Sequence, residues 1–428
     1  MPHLAATSAD RGVGERGYIK SAWCPTDNLG MNKFKLLWWM RKRPEGHLRL
    51  VGRNLLYAAG SIKPREAYVQ AGVDWLLRSQ APEGGLRGWY DMLNGWGATY
   101  PEVSGYAVPT LTRIGRVLEA RRVLDWLVGL QFEDGAFPGG LTGDSEQRRS
   151  VFNTGQILQG LADGWRVFRE ERYLEAGHRA AQWLTRVQDA DGAWRQFSYN
   201  QIPHTYYARV AWILADFDAA YQESAVSFGD WAMRQQDADG WFNCMEMIPG
   251  TPASLHAIAY TLEGMWRLGG MIGVSRSRES VVPFAEKLMH HMETHSLAGE
   301  YDRGYRRARG YICLTGLAQT CIVWIAAYGY TRDLRYLNVA IKGLDYICSV
   351  LDLDNPCPDL RGGLPGSYPL TGDYMPLRII NWGTKFFLDA LLDEKECLSS
   401  ASRNQPLHRS HSSGSPRSKN AVCELTPL

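Results

Sequence analysis

The chain has 428 residues, 45 % hydrophobic and 21 % charged, enough apolar material for one large domain or two ordinary ones and too much for a disordered polymer. Its 47 basic and 45 acidic residues leave a net charge of +2, which excludes a global field drawing it to nucleic acid or an anionic membrane. No apolar run approaches the ~20 residues of a membrane span, and the N-terminus has no charged start followed by an apolar stretch and a cleavage site. Cys24, Cys244, Cys313, Cys321, Cys348, Cys357, Cys397 and Cys423 are scattered without a CxxC pair, so reduced thiols in a cytoplasmic setting are expected.

Residues 1–30 are rich in Gly, Ala and charge and lack helical periodicity, which predicts a disordered or misassigned start. Met31 then heads "MNKFKLLWWMRKRP", and residues 31–60 read as an N-terminal helical extension. Its "KLLWWM" core is apolar but short, at most a peripheral membrane foothold.

From residue 61 the chain repeats. "DWLLRSQAPEGG", "DWLVGLQFEDGAF", "QWLTRVQDADGAW" and "DWAMRQQDADGWF" each place a Trp (Trp75, Trp126, Trp183, Trp231) five residues before a Gln (Gln80, Gln131, Gln188, Gln236) and an acidic, glycine-containing turn. The period of roughly 50 residues fits two helices and their loops. Each unit predicts an amphipathic helix ending at the Gln, a glycine turn held by the Gln amide, and a second, more apolar helix. Second helices are expected near Ser104, Asn153, His204, Ser254, Arg309 and Asn381. The fifth unit, around "HHMETHSLAGEYDRGY", is the most divergent, and Tyr346 takes the Trp place in the sixth.

Six such hairpins cannot hide their apolar faces alone and must stack. Without capping repeats at either end, closure is favoured over an open superhelix. The expected fold is all-α, an (α/α)6 toroid over residues 61–396, with the second helices inside and their N-termini converging on one mouth. The Ser-, Arg- and Pro-rich stretch 397–428 is expected to be a disordered tail.

The Q-x3-G-x-W element of "QDADGAW" (Gln188, Gly192, Trp194) resembles the prenyltransferase and squalene-oxidase repeat of the α/α-toroid superfamily. Within it, "GWGATYPEVSGYAVPTL" and "GGLPGSYPLTGDYMPLRIINWGTKFFLDALL" look most similar to uncharacterised bacterial members associated with exopolysaccharide biosynthesis. Terpenoid cyclases of the superfamily would imply an acidic DxDD donor or a DDxxD magnesium site, and neither motif is present. Protein prenyltransferases would imply a zinc site of Asp, Cys and His, but Cys357 and Cys244 lack the D-x-C spacing. No metal or cofactor is therefore expected. His291 and His295 share a helical face in "HHMETH", yet two ligands do not make a site and Glu does not directly follow the first His.

Carbohydrate chemistry fits the remaining residues better, which makes a saccharide the expected partner. Removing the C5 proton of a uronate, by a lyase or an epimerase, calls for a neutralised carboxylate and a nearby base. Tyr206 or Tyr207 would move the proton, while His204 and Asn153 would neutralise the carboxylate. Arg209, Arg306 and Arg309 would anchor the ligand, and Trp89, Trp96, Tyr106 and Trp194 would offer stacking surfaces. Glu102, with Asp91, Glu246 or Asp373, opens the rival reading of a glycoside hydrolase with paired carboxyls. A terpenoid or prenyl enzyme and a non-catalytic glycan-binding protein are the other readings. Each residue also has a plain structural role available: a His caps a helix, a Tyr packs, an acid partners a helix dipole.

Overall fold

The computed structural model describes residues 45–56, 60–144, 146–273 and 275–403. Helix α1 (Glu45–Leu55) precedes six helical hairpins. Their outer and inner helices are α2 (Arg65–Ser79) with α3 (Pro101–Arg113), α4 (Val117–Val128) with α5 (Val151–Phe168), and α6 (Glu171–Arg186) with α7 (Ala208–Phe217). The second half continues with α8 (Gln222–Arg234) and α9 (Leu255–Met271), then, after the short α10 (Ser275–Glu279), α11 (Val282–Thr294) with α12 (Leu314–Thr331), and α13 (Leu334–Val350) with α14 (Asn381–Arg403).

Each inner helix packs on the next, and α14 packs on α3 and α2, so the ring closes. The fold is the expected (α/α)6 toroid. Glycines set the close approach of the inner helices. A side chain at Gly105 would meet Ile157 Cα at 2.6 Å, one at Gly264 would meet the Ala208 backbone at 2.5 Å, and one at Gly316 would meet Leu255 at 2.7 Å. Removing that bulk brings neighbouring backbones together and narrows the barrel.

The repeated Gln is a clamp between neighbouring units. Gln188 Nε2 donates both to Gly192 O of its own turn and to Ser224 O of the next outer helix, at 2.8 and 3.0 Å. Gln80, Gln131 and Gln236 make the same two bonds, to Gly84 and Glu119, to Gly135 and Ala176, and to Gly240 and Ser280. The amide thereby satisfies carbonyls that helix ends and turns leave open.

Short strands, absent from the all-helical expectation, stiffen the loops at the inner helices' N-terminal mouth. β1 (Trp89–Asp91), β2 (Gly95–Trp96), β3 (Leu364–Pro365) and β4 (Arg378–Ile380) form a sheet in the order β2-β1-β4-β3, with Trp89 opposite Ile380. This sheet ties the first hairpin's loop to the last one's. Asp91 belongs to the tie, accepting from Leu93 N and pairing with Arg378 at 3.1 Å.

Helix α14 runs through Arg403, past the boundary at 396 expected for the toroid. The expected disordered start at 1–30, the "KLLWWM" segment and the tail from 404 lie outside the described residues. No described helix is long and apolar enough to cross a membrane.

Candidate active site

The inner helices deliver their first turns to one mouth, and a carboxyl stands at its centre. Glu102, in the first turn of α3, is 3 % exposed and accepts a hydrogen bond from Tyr100 OH at 2.8 Å. Burial raises its pKa from an ordinary 4.5 to about 7, against the lowering effects of Tyr100 and of the Arg209 charge. The Glu102 charge also acts on the hydroxyls of Tyr106, Tyr206, Tyr207 and Tyr260, all pushed upward, first of all by burial. A carboxyl balanced near neutrality can take or give a proton. Phenols held far above it stay protonated there.

Aromatic rings from five of the six hairpins converge around that carboxyl. Phe152 of α5 meets Tyr206, Tyr207 and Tyr260 at 5.3 to 5.5 Å. Phe386 of α14 meets Tyr106 at 5.5 Å and Tyr260 at 5.7 Å. His256 in the first turn of α9 lies 4.1 Å from the Tyr260 ring and 5.8 Å from that of Tyr374. Burial lowers the His256 pKa to about 3, so the ring is neutral. Its Nδ1 bonds Gln319 Oε1, an accepting carbonyl oxygen, and so carries the ring proton.

Beneath the rings lies a layer of matched charge. Arg209 is fully buried, with Nη1 on Glu263 Oε2 at 2.5 Å, Nε on Gln156 Oε1 at 2.9 Å and Nη2 on Gln159 Oε1 at 3.3 Å. Burial opposes the Glu263 charge, but Arg209, Arg267 and Lys385 outweigh it and bring its pKa down to about 2. Lys385 pairs with Asp389 at 2.7 Å, and Asp389 accepts from Thr110 Oγ1 at 2.7 Å.

Several residues expected at the mouth have other work. Trp194 is fully buried, stacked on Phe228 with Nε1 on Leu184 O at 2.9 Å, and offers no platform to a ligand. Trp96 packs against Trp75 of the outer helix α2 at 5.1 Å, and Trp89 lies beneath the Arg378 guanidinium at 5.1 Å. Arg209 sits a layer below the rim, already paired. The Arg306 side chain is 78 % exposed on the hairpin of the strands Glu300–Asp302 and Arg306–Arg307, with Asp302 at 3.9 Å. Arg309 bridges Glu300 and Asp373 at 3.5 and 3.7 Å, joining the fifth and sixth loops at the rim.

The His204, Asn153 and tyrosine assignments meet similar facts. His204 Nε2 donates to Tyr199 O at 3.0 Å and the ring stacks on Tyr206. Burial lowers its pKa to about 4, so it supplies no positive charge to a carboxylate near neutral pH. Asn153 bonds Ser150 Oγ and Pro138 O, inside the cap of α5. Tyr207 OH accepts from Tyr199 N at 3.0 Å, and Tyr206 OH donates to Met247 Sδ at 3.4 Å. Of the anticipated residues, Glu102 and Tyr106 lie among the converging rings, Glu102 bonded to Tyr100 and Tyr106 packed on Phe386. Tyr100, His256, Tyr260, Gln319 and Lys385 were not anticipated. "LHAIAY", a His and a Tyr four apart where an inner helix begins, was the available signal.

The fold and this mouth define an α/α toroid with a protonatable carboxyl at its centre. No protein-family model and no curated protein matches the chain. Among solved structures, an unsaturated glucuronyl hydrolase specific for heparin superposes with a TM-score of 0.63 at 15 % identity, covering 78 % of this chain and 98 % of its own. Cellobiose 2-epimerase from Bacillus thermoamylovorans gives 0.59 at 13 % identity over 81 % and 98 %. An α-mannanase of Bacteroides thetaiotaomicron gives 0.51 at 12 % identity over 79 % and 98 %. At such identities the likeness is one of fold. The prenyltransferase and squalene-oxidase resemblance rests on the turn motif and the paired-helix period of the sequence.

Proposed function

We propose that the protein is a carbohydrate-active enzyme that moves a proton at a sugar carbon, with Glu102 as the acid-base group. The observation that carries this reading is a single carboxyl, buried on the barrel axis, poised near neutrality and held by Tyr100. The structural neighbours, two hydrolases and an epimerase by name, make a sugar the substrate class to test first.

Chemistry divides the options further. Glycoside hydrolysis usually employs two carboxyls with opposed roles. The other carboxylate beneath the rings, Glu263, is fixed as an anion by Arg209 and Arg267. Abstraction of a proton next to a carbonyl needs no second carboxyl, and its return to the opposite face after the planar intermediate turns in the site would complete an epimerisation. The sequence alone pointed to a uronate, but the buried cations Arg209 and Lys385 are matched by Glu263 and Asp389. A neutral saccharide, with the acidified carbon next to its own carbonyl, asks for no unmatched cation. Glu102 would take that proton, and the neutral His256, its Nδ1 held by Gln319, would offer a substrate hydroxyl a hydrogen-bond acceptor. At 3 % exposure Glu102 admits a sugar only when a mouth loop moves. An exopolysaccharide setting is carried over from the sequence resemblance.

The test is incubation with neutral and acidic oligosaccharides in D2O, followed by NMR. Deuterium entering a sugar C–H, with loss of exchange in Glu102→Gln, is the expected result. New reducing ends without exchange would replace this reading with hydrolysis. A conjugated product absorbing in the ultraviolet would replace it with uronate elimination.

A further inference from the structure

The other end of the barrel, where α9 and α12 finish and α14 passes, holds a cleft of about 610 Å³. That volume lies within the range of small-molecule sites and would hold a sugar of one or two rings. Its wall carries three carboxylates and three arginines, unequally engaged. Glu263 is held by Arg209 and Arg267, while Asp393 and Glu396 are both held by Arg113 at 2.7 and 2.9 Å. Arg278 and Arg332 also line the cleft and pair with no carboxylate among the described residues.

Arg278 is positioned rather than loose. Its guanidinium lies over the rings of Tyr330 and Trp266, 4.9 and 5.6 Å from their centres, and Nε donates to Trp266 O at 3.4 Å. Its Nη2 fills the space beside Gly270, where a Cβ would come within 2.2 Å of it. The C-terminal ends of α9 and α12 oppose these cations with roughly half a negative charge each. Counting the five arginines Arg113, Arg209, Arg267, Arg278 and Arg332 against the three carboxylates and about one charge from the helix ends leaves a cationic surplus of about one. Facing them, α12 contributes an apolar strip of Ile322, Ile325 and Ala326.

We infer that this cleft is a second ligand site, for a saccharide bearing an oxyanion, with Arg278 and Arg332 on the phosphate or carboxylate and the apolar strip of α12 under the sugar ring. Guanidinium forks suit both oxyanions. The site is separate from Glu102 and stands or falls without the proposed reaction.

Titration calorimetry of the full chain with glucose 1-phosphate, glucuronic acid and glucose tests it. One or both anions are expected to bind, more weakly at high salt, and glucose is not. Whichever anion binds identifies the oxyanion. Arg278→Gln with Arg332→Gln should weaken binding at least about tenfold. Gly329→Trp should block the cleft while the thermal unfolding curve is kept, because Gly329 has nothing within 4 Å of its Cβ position. Arg332→Gln alone, at an exposed position, covers the case of a misfolded double variant. Glu102→Gln should leave binding intact. No binding of either anion at ~10 mM, ~10-fold above a millimolar Kd, overturns the inference, as does binding that ignores the arginine and Gly329 changes or disappears with Glu102→Gln.

Discussion

Tyr100 donates its hydroxyl to Glu102 across 2.8 Å, and both side chains are buried. This bond favours the ionised carboxylate while burial disfavours it, and burial wins. As a base, Glu102 must be ionised, so kcat/KM should rise with pH through about 7. Tyr100→Phe removes the favourable bond and should move that limb to higher pH. A pH-rate profile in which the limb stays put or moves down would show that Tyr100 does not tune Glu102.

The same group makes a stability prediction with a definite sign. Its folded pKa, about 7, exceeds the ordinary 4.5, so the folded state binds the proton more tightly than the unfolded one. The protein should therefore be favoured below pH ~4.5 and should lose stability as pH rises to about 7, by on the order of 3 kcal/mol. Glu102→Gln carries no such charge. It should be more stable than the parent at pH 8 and similar at pH 4.5, as denaturant unfolding at the two values would show.

Arg209 and Glu263 make a buried pair whose two halves should respond unequally. Arg209→Met strands the Glu263 anion with Arg267 as its remaining partner, and should cost ~3–5 kcal/mol. The double change to Met at both positions removes the stranded charge and should recover much of that loss. Thermal unfolding of the two single variants and the double variant closes the cycle. A loss in the double variant equal to the sum of the two single losses would show that the pair contributes packing alone.

Much of this architecture was legible because it repeats. Trp, Gln and Gly recur at fixed spacing, and each Gln makes the same two bonds, so local pattern and global fold carry the same information. The site was less legible. Trp194 looks in sequence like any exposed aromatic, and only packing shows that it fills the gap between the outer helices α6 and α8, bonded to Leu184 O and stacked on Phe228. Arg209 falls near a helix start, but the 3-10 turn Thr205–Tyr207 before α7 sets it a layer deeper than its position suggests. His256 and Gln319 lie 63 residues apart and meet because the successive inner helices α9 and α12 pack together.

The Gln clamp itself should be worth measuring. Gln188→Ala deletes bonds to Gly192 O and Ser224 O, and the two lost bonds should cost about 1–3 kcal/mol together. Denaturant unfolding reads the loss directly. An unchanged midpoint would mean that water replaces the amide at both carbonyls.

Gly362 distinguishes a closed ring from an open superhelix. It occupies, in the sixth unit, the turn that Gly192 occupies in the third, and both have positive φ, 88° and 95°. A Cβ on Gly192 would strike Ser227 O of the following outer helix at 2.2 Å. A Cβ on Gly362 would strike Ala71 O at 2.2 Å, and Ala71 belongs to α2, the first outer helix. In an open superhelix the sixth turn would have no successor, and Gly362→Ala would carry only the backbone strain of its φ, about 1 kcal/mol. In the closed ring it also forces α2 away from the last hairpin. Gly362→Ala should therefore lose several kcal/mol and speed amide exchange in α2, as Gly192→Ala should in α8, and a mild loss confined to its own turn would mean that the outer ring is open in solution.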